Sequence, residues 1–235
     1  MLPAEPTPLL YLCFVSLAVL VAGLFVAAVR RATAGANGTW VKIGSLTFAW
    51  LALTGGLALA GVLHEFSIPP RVPLLVVTAG VAITWLSFSS IGDQLIATLP
   101  AWAVVGSQAF RLPLELSMHR AYNEGVMPVQ MSYSGWNFDI ATGITAIAVA
   151  VALYRGQCPR WLWMAWNIMG SMLLATVVTI AVLSFPTPFQ MIASDPPNVW
   201  VTHVPFIWLP TVLVPAALLG HLLTLRQLRK TAAGA

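Results

Sequence analysis

Long apolar runs alternate with short polar connections along the whole chain. A helix that crosses the hydrocarbon core of a bilayer needs about 20 mostly apolar residues. Seven stretches approach that pattern: 9–29, 43–63, 73–91, 100–122, 138–154, 161–185 and 201–225. The fourth is the weakest, because it contains Arg111 and Glu115, and the fifth is short. The runs predict an all-α fold, one polytopic transmembrane helix bundle over residues 1–235 with seven spanning helices.

The bases orient the bundle. With the N-terminus outside, Arg30, Arg31, Lys42, Arg155, Arg160, Arg226, Arg229 and Lys230 fall on the cytoplasmic side, Arg71 and Arg120 outside, and Arg111 within the membrane. That asymmetry matches the positive-inside rule and predicts a cytoplasmic C-terminus after an odd number of crossings. Residues 1–7 carry one acid and no base, so the first run is expected to be a retained helix and not a cleaved signal.

Composition agrees. Only 8% of the 235 residues are charged and 59% are hydrophobic, where a soluble domain carries about 25% charged residues. The net charge of +4 lies in the short connections and forms no basic patch, so no nucleic-acid partner is expected. The partner is the lipid bilayer. Cys13 lies in the first run and Cys158 in a cytoplasmic connection, and no Cys-x-x-Cys pair occurs, which argues against a disulfide framework and thiolate metal sites.

Two outer connections, 123–137 and 186–200, are longer than a minimal turn and hold apolar side chains: Val126, Met127 and Met131 in one, Phe189, Met191 and Ile192 in the other. They are expected to pack as lids on the outer mouth. The last run carries Pro205, Pro210 and Pro215. Each removes a backbone donor, and the freed carbonyls need a neighbour, water or ligand.

Candidate chemistry gathers toward the outer side. Arg111, Glu115 and His119 recur every four residues, which puts them on one helical stripe about a turn apart. Charge at this depth is expensive and normally faces the bundle interior. One reading is an Arg111–Glu115 ion pair that stitches helices together. The other is an arginine that holds an anionic group, with Glu115 and His119 as proton carriers. Asp139 falls in the first turn of the fifth helix with Asn137 as its N-cap, a structural role that competes with a ligand role. Asp195 and Asn198, among prolines, are turn formers or ligands. His64, His119 and His203, with the nearby carboxylates, would suit zinc or another divalent metal if they converge. His221 follows His203 by 18 residues and is read as an interfacial histidine.

Several stretches resemble a family of uncharacterised bacterial multi-pass inner-membrane proteins. They are FRLPLEL from Phe110, PVQM from Pro128, GWNFDIATGIT from Gly135, PTPFQ from Pro186, PNV from Pro197 and HVPFIWLP from His203. The resemblance covers roughly residues 110–226 and implies a bacterial cytoplasmic membrane. The family often has a charged residue where this chain has Trp136. The resemblance points to Arg111, Glu115, Gln130, Asn137, Asp139 and His203.

Three functional readings follow. The first is a binding or transport protein for a small anionic ligand, held in an outward-facing pocket by Arg111, Glu115, Gln130, Asn137, Asp139 and Asn198. The second is a membrane-embedded, metal-dependent enzyme acting on a lipid or lipid-linked group at the outer leaflet, with Glu115, His119, Asp139 and His203 as catalytic candidates. The third is a non-catalytic accessory subunit of a membrane complex.

Overall fold

The computed structural model describes residues 2–34, 38–66 and 68–233, all of them helical or irregular. α1 (Pro8–Ala32) starts at Thr7, whose hydroxyl accepts from the Leu10 amide, with Pro8 in the first turn. It ends on Arg30 and Arg31, which complement the helix dipole. Leu10, Phe14, Leu17, Ala18 and Val21 form its buried face, while Leu9, Leu12, Leu20 and Leu24 point outward. α2 (Thr39–Leu59) packs beside it and opens after Gly38, whose φ of 66° favours glycine.

α3 (Arg71–Ser87) and α4 (Ser90–Thr98) replace the single third span and meet at a bend of 65°. Arg226, from the far end of the chain, holds this break. It donates to the Ser87 carbonyl, pairs with Asp93 and stacks over the Phe88 ring at 5.3 Å. Gly92 is required there, because a Cβ would strike the Ser87 carbonyl.

The weak fourth stretch is helical from 101 to 123, as α5 (Ala101–Ser107), a 3-10 turn (Gln108–Phe110) and α6 (Arg111–Asn123). Pro113 cannot donate to residue 109, and the run tightens immediately before it. α7 (Ile140–Tyr154) is short and packs on α5 and α6. Its Gly143 allows that approach, since a Cβ would meet the Leu112 amide nitrogen. α8 (Arg160–Ser184) follows, and α9 (Val214–Ala233) continues from a π turn (Leu209–Leu213).

The last stretch starts later than 201. Residues 200–202 form a 3-10 turn, and the regular run begins only near 208, because Pro205 and Pro210 remove two amide donors from what would be its first turns. Pro215 frees the Thr211 carbonyl, and Trp50 of α2 supplies the missing donor at 2.9 Å. In return Trp208 donates to the Leu51 carbonyl at 3.0 Å. Phe14, Trp200 and Phe206 cluster within the main hydrophobic core, with Phe14 edge-on to both partners.

The connections 123–137 and 186–200 differ. Val126, Met127 and Met131 are fully buried, so the first packs against the bundle. In the second, Phe189 and Met191 point outward, with Met191 80% exposed, and the segment is tied down where the Met191 and Ile192 amides donate to the Leu183 carbonyl and at Asn198. That side chain bonds Ser184 and receives the Trp200 indole.

Among the described residues four helices are long and apolar enough to cross a membrane, α1, α2, α8 and the run Leu209–Thr231, and a fifth span results if the bent pair α3–α4 counts as one. Many large apolar side chains face outward, Leu46, Leu59 and Trp85 among them. Water would not tolerate such an exterior, and lipid solvates it.

Glu124 fastens the N-terminus to the end of α6. It accepts from the Thr7 amide and hydroxyl at 2.9 and 2.8 Å and from Arg120 at 2.7 Å. Burial pushes its carboxyl up, but the Thr7 and Arg120 bonds outweigh that and hold it below the ordinary carboxylate range. A depressed value in the folded state gives stability present above the ordinary range and lost as pH falls through the lowered value. The Thr7 and Leu10 amides should therefore stay protected from hydrogen exchange at a pH where a free glutamate protonates, and lose protection only in stronger acid. In Glu124→Gln the protection should be weak at every pH; wild-type protection in that variant would contradict the latch.

Candidate functional site

A chain of buried polar side chains joins α6, α7, α8 and α9 inside an otherwise apolar bundle. Its centre is Arg111, 1% exposed. Nε donates to Asp139 Oδ2 at 2.6 Å, and Nη2 donates to Asp139 Oδ1. This is the two-pronged arginine–carboxylate geometry. Nη1 lies 2.7 Å from His221 Nε2. Arginine can only donate, so Nε2 accepts and the ring proton sits on Nδ1. From there it donates to Asn167 Oδ1 at 2.9 Å. His221 is thereby neutral, and its orientation is set from both sides.

Glycine makes room for this arrangement. A Cβ at Gly170 of α8 would lie 2.8 Å from the Thr142 methyl and would also strike the His221 ring. Asp139 sits at the cap position of α7, where helix dipole and arginine both favour its negative charge. It also accepts from Thr142 at 3.1 Å.

Glu115 lies one turn along α6 from Arg111 and is 2% exposed. Both of its carboxylate oxygens accept from Asn137 Nδ2, at 3.0 and 2.9 Å. Asn137 also donates to the Met131 carbonyl and accepts from the Asp139 amide. It is thus the joint between Glu115 and Asp139, a role beside the N-cap and ligand roles expected of it. Among the described residues no cation lies within ion-pair distance of Glu115. With Arg111 and Asp139 paired and His221 neutral, ionising Glu115 would leave the cluster one negative charge in excess.

Glu115, Arg111 and Asp139 all border a cavity of about 280 Å³ between α3, α6, α8 and the last helical run. Its walls are otherwise almost wholly apolar, built from residues such as Val76, Met118, Val177 and Leu213, with Asn198 at one edge. The site can therefore offer a carboxylate to a guest that has an apolar body.

The remaining candidates fall elsewhere. The His64 and His203 rings pack against each other with centroids 4.3 Å apart. His119 stacks on Tyr133 at 4.3 Å and contacts the Ser132 hydroxyl at 3.0 Å. Among the described residues no group of three or more His, Cys, Asp or Glu side chains is placed to hold a metal ion. Gln130 is buried in the loop before Asn137, and Asp195 is exposed.

Two members of the network escaped sequence reasoning: Asn167, and His221, which was read as interfacial. Both are polar residues inside apolar stretches, a signal that was available. Spacing also favoured Glu115 as the partner of Arg111, whereas the bonded partner is Asp139, 28 residues away.

Removing one member of a buried ion pair strands the other charge, at a cost of about 3–5 kcal/mol. Asp139→Asn should lower the unfolding free energy in detergent by that amount. His221→Phe leaves one guanidinium N–H without its acceptor and should cost about 1–3 kcal/mol. Thermal and denaturant unfolding of the purified variants measure both, and wild-type stability in Asp139→Asn would remove the pair from this role.

A family model described as a domain of unknown function, DUF8737, matches residues 90–229, which include every member of the polar network. No curated protein and no solved structure matches the chain. With more than half of its length matched, the chain belongs to the DUF8737 family.

Proposed function

We propose that the chain is a seven-crossing membrane protein, N-terminus outside and C-terminus cytoplasmic, that binds a small organic cation with an apolar body. One observation carries the reading. Glu115 is buried on the wall of an apolar cavity with no ion-pair partner among the described residues, while each nitrogen of Arg111 already has a hydrogen-bond partner. Arg111 therefore serves as the fixed counter-charge of Asp139 and is poorly suited to capture an anion. Glu115 is the group whose charge remains to be balanced, by a proton or by a bound cation.

The cavity supports the rest. It is near the lower end of the range for small-molecule sites. Its wall includes the exposed Val77 and Val182, which puts its opening toward lipid between α3 and α8. An amphiphilic amine would enter from the membrane with its ammonium aimed at Glu115. In the proposed topology, the residues at this depth belong to the outer half of the bundle.

The distribution of bases supports that topology. It also needs the 101–123 run and the short α7 to act as spans, completed by their neighbours.

Two measurements test these statements. Benzylammonium, titrated calorimetrically into the detergent-solubilised protein, should bind at least about tenfold more tightly than benzyl alcohol, the value of one charge-assisted hydrogen bond. The preference should vanish in Glu115→Gln and weaken as pH falls, because protons compete for the same carboxylate. Tighter binding of benzoate, unchanged in Glu115→Gln, would overturn the cation reading. For topology, a membrane-impermeant maleimide should label Cys158 in inverted vesicles and not in intact cells. Burial pushes this thiol up, against an opposing bond with the Trp163 backbone, so labelling should quicken with rising pH. Labelling in intact cells would reverse the orientation.

A further inference from the structure

A second and larger cavity, about 1030 Å³, is lined from α1, α2, α3, α5, α7 and α9. It opens on the lipid-facing exterior, where Leu24, Leu46, Trp85 and Val151 are exposed on its wall. The few hydroxyls on the wall are occupied: Thr47, Thr78, Ser107 and Thr211 each donate to a carbonyl of their own helical run, at 2.8, 2.8, 2.7 and 2.7 Å. The wall runs from Ile43 to Trp50 on α2 and from Thr78 to Leu86 on α3, about 10–12 Å along each axis. That is most of one leaflet's share, about 15 Å, of the hydrocarbon core. The space suits acyl chains.

One end of the cavity is basic. α1 ends and α2 begins there, and Leu99 of the cavity wall packs with Ala32 and Trp40 in one cluster. α7 ends on the same side, since Tyr154 meets Trp102, at the start of α5, edge to face at 5.6 Å. Each of α1, α2 and α7 places a base just beyond the wall. Lys42 precedes Leu46 by four residues, Arg155 follows Val151 by four, and Arg31 follows Ala28 by three and Leu24 by seven. At these spacings the base continues the stripe of the exposed wall residue. All three bases are exposed, and among the described residues none pairs with an acid. Asp93, the acid of α4, is already held by Arg226. Membrane orientation alone asks for bases at this end and not for their place on these stripes. Arg30, on the other face of α1, instead stacks over Trp40 at 5.1 Å.

A ligand that satisfies both features needs hydrocarbon for the cavity and negative charge at its basic end. Lys and Arg beside membrane helices attract anionic headgroups, and three bases from three helices match a phosphodiester at the level where the apolar wall stops.

We infer that this cavity binds an anionic phospholipid, with its acyl chains along the apolar wall and its headgroup phosphate against Arg31, Lys42 and Arg155. The inference is independent of the Glu115 site, because the ligand has the opposite charge and is held by other residues.

Trp50, Trp85 and Trp102 line the cavity and report on acyl chains inside it. The full chain in detergent is titrated with phosphatidylglycerol and with phosphatidylcholine, both carrying the same brominated acyl chains. Each base near an anionic headgroup adds a factor of about five, so phosphatidylglycerol is expected to bind at least about tenfold more tightly, with a preference that shrinks as salt is raised. The combined variant Arg31→Gln, Lys42→Gln, Arg155→Gln should bring the ratio to about one while keeping the phosphatidylcholine affinity. Ala82→Phe, at an exposed position on the cavity wall, should weaken both lipids and leave the ratio unchanged. Arg229→Gln, on a face of α9 turned away from Gly220 and Leu223, should change neither. Equal binding of the two lipids by the wild type, a preference that survives the combined variant, quenching untouched by Ala82→Phe, or the same loss of preference in Arg229→Gln would each overturn the assignment.

Discussion

The Arg111–Asp139 pair is the constraint around which the bundle is organised. A guanidinium taken out of water must keep its counter-charge within bonding distance, and here the two come from different helices. α6 and α7 are therefore held in one register, and Gly143 lets their backbones close to the separation the pair needs. The remaining arginine donor reaches α9 through His221, and His221 reaches α8 through Asn167. Four helices are thus positioned by one charge and the bonds it requires. Because lipid rewards no apolar contact between helices over a contact with itself, such polar ties and close packing must supply the specificity of assembly.

That organisation separates structure from availability within a single helix. Arg111 and Glu115 are one turn apart and buried to the same degree, yet their surroundings differ. One is saturated by partners of the opposite or neutral type. The other is held only by an uncharged amide and faces open, apolar space.

Each of the seven apolar stretches contains helix because hydrophobic length is a local property, but among the described residues only four, or five with the bent pair, hold a helix long and apolar enough to cross a membrane. The details that depend on distant residues were not legible. The break between α3 and α4 is held by Arg226, more than a hundred residues later; Ser89, Gly92 and Asp93 mark a helix start near Phe88 but not the partner that fixes the bend. The late start of the last run was closer to legible, since Pro205 and Pro210 state which donors are missing. For the site, sequence reasoning marked Arg111, Glu115, Asn137 and Asp139 as residues of interest but gave the pairing to i,i+4 spacing. Helical periodicity reports which side chains share a face of one helix, and it is silent on what the neighbouring helix presents. His221 was misread for that reason: its depth was estimated from its place along the run, while its partner is an arginine on α6.

The exchange of indole bonds between α2 and the last run has a mechanical consequence. Trp50 fills the gap left by Pro215, and Trp208 reciprocates on Leu51, so the two elements are clasped at two points and cannot slide without losing both. They form a rigid spine. A guest that binds beside Glu115 as proposed would enter between the opposite walls, α3 and α8, whose facing surfaces at that cavity are valine-rich hydrocarbon. Among the described residues no side-chain hydrogen bond joins those two helices, so they can part there without breaking one.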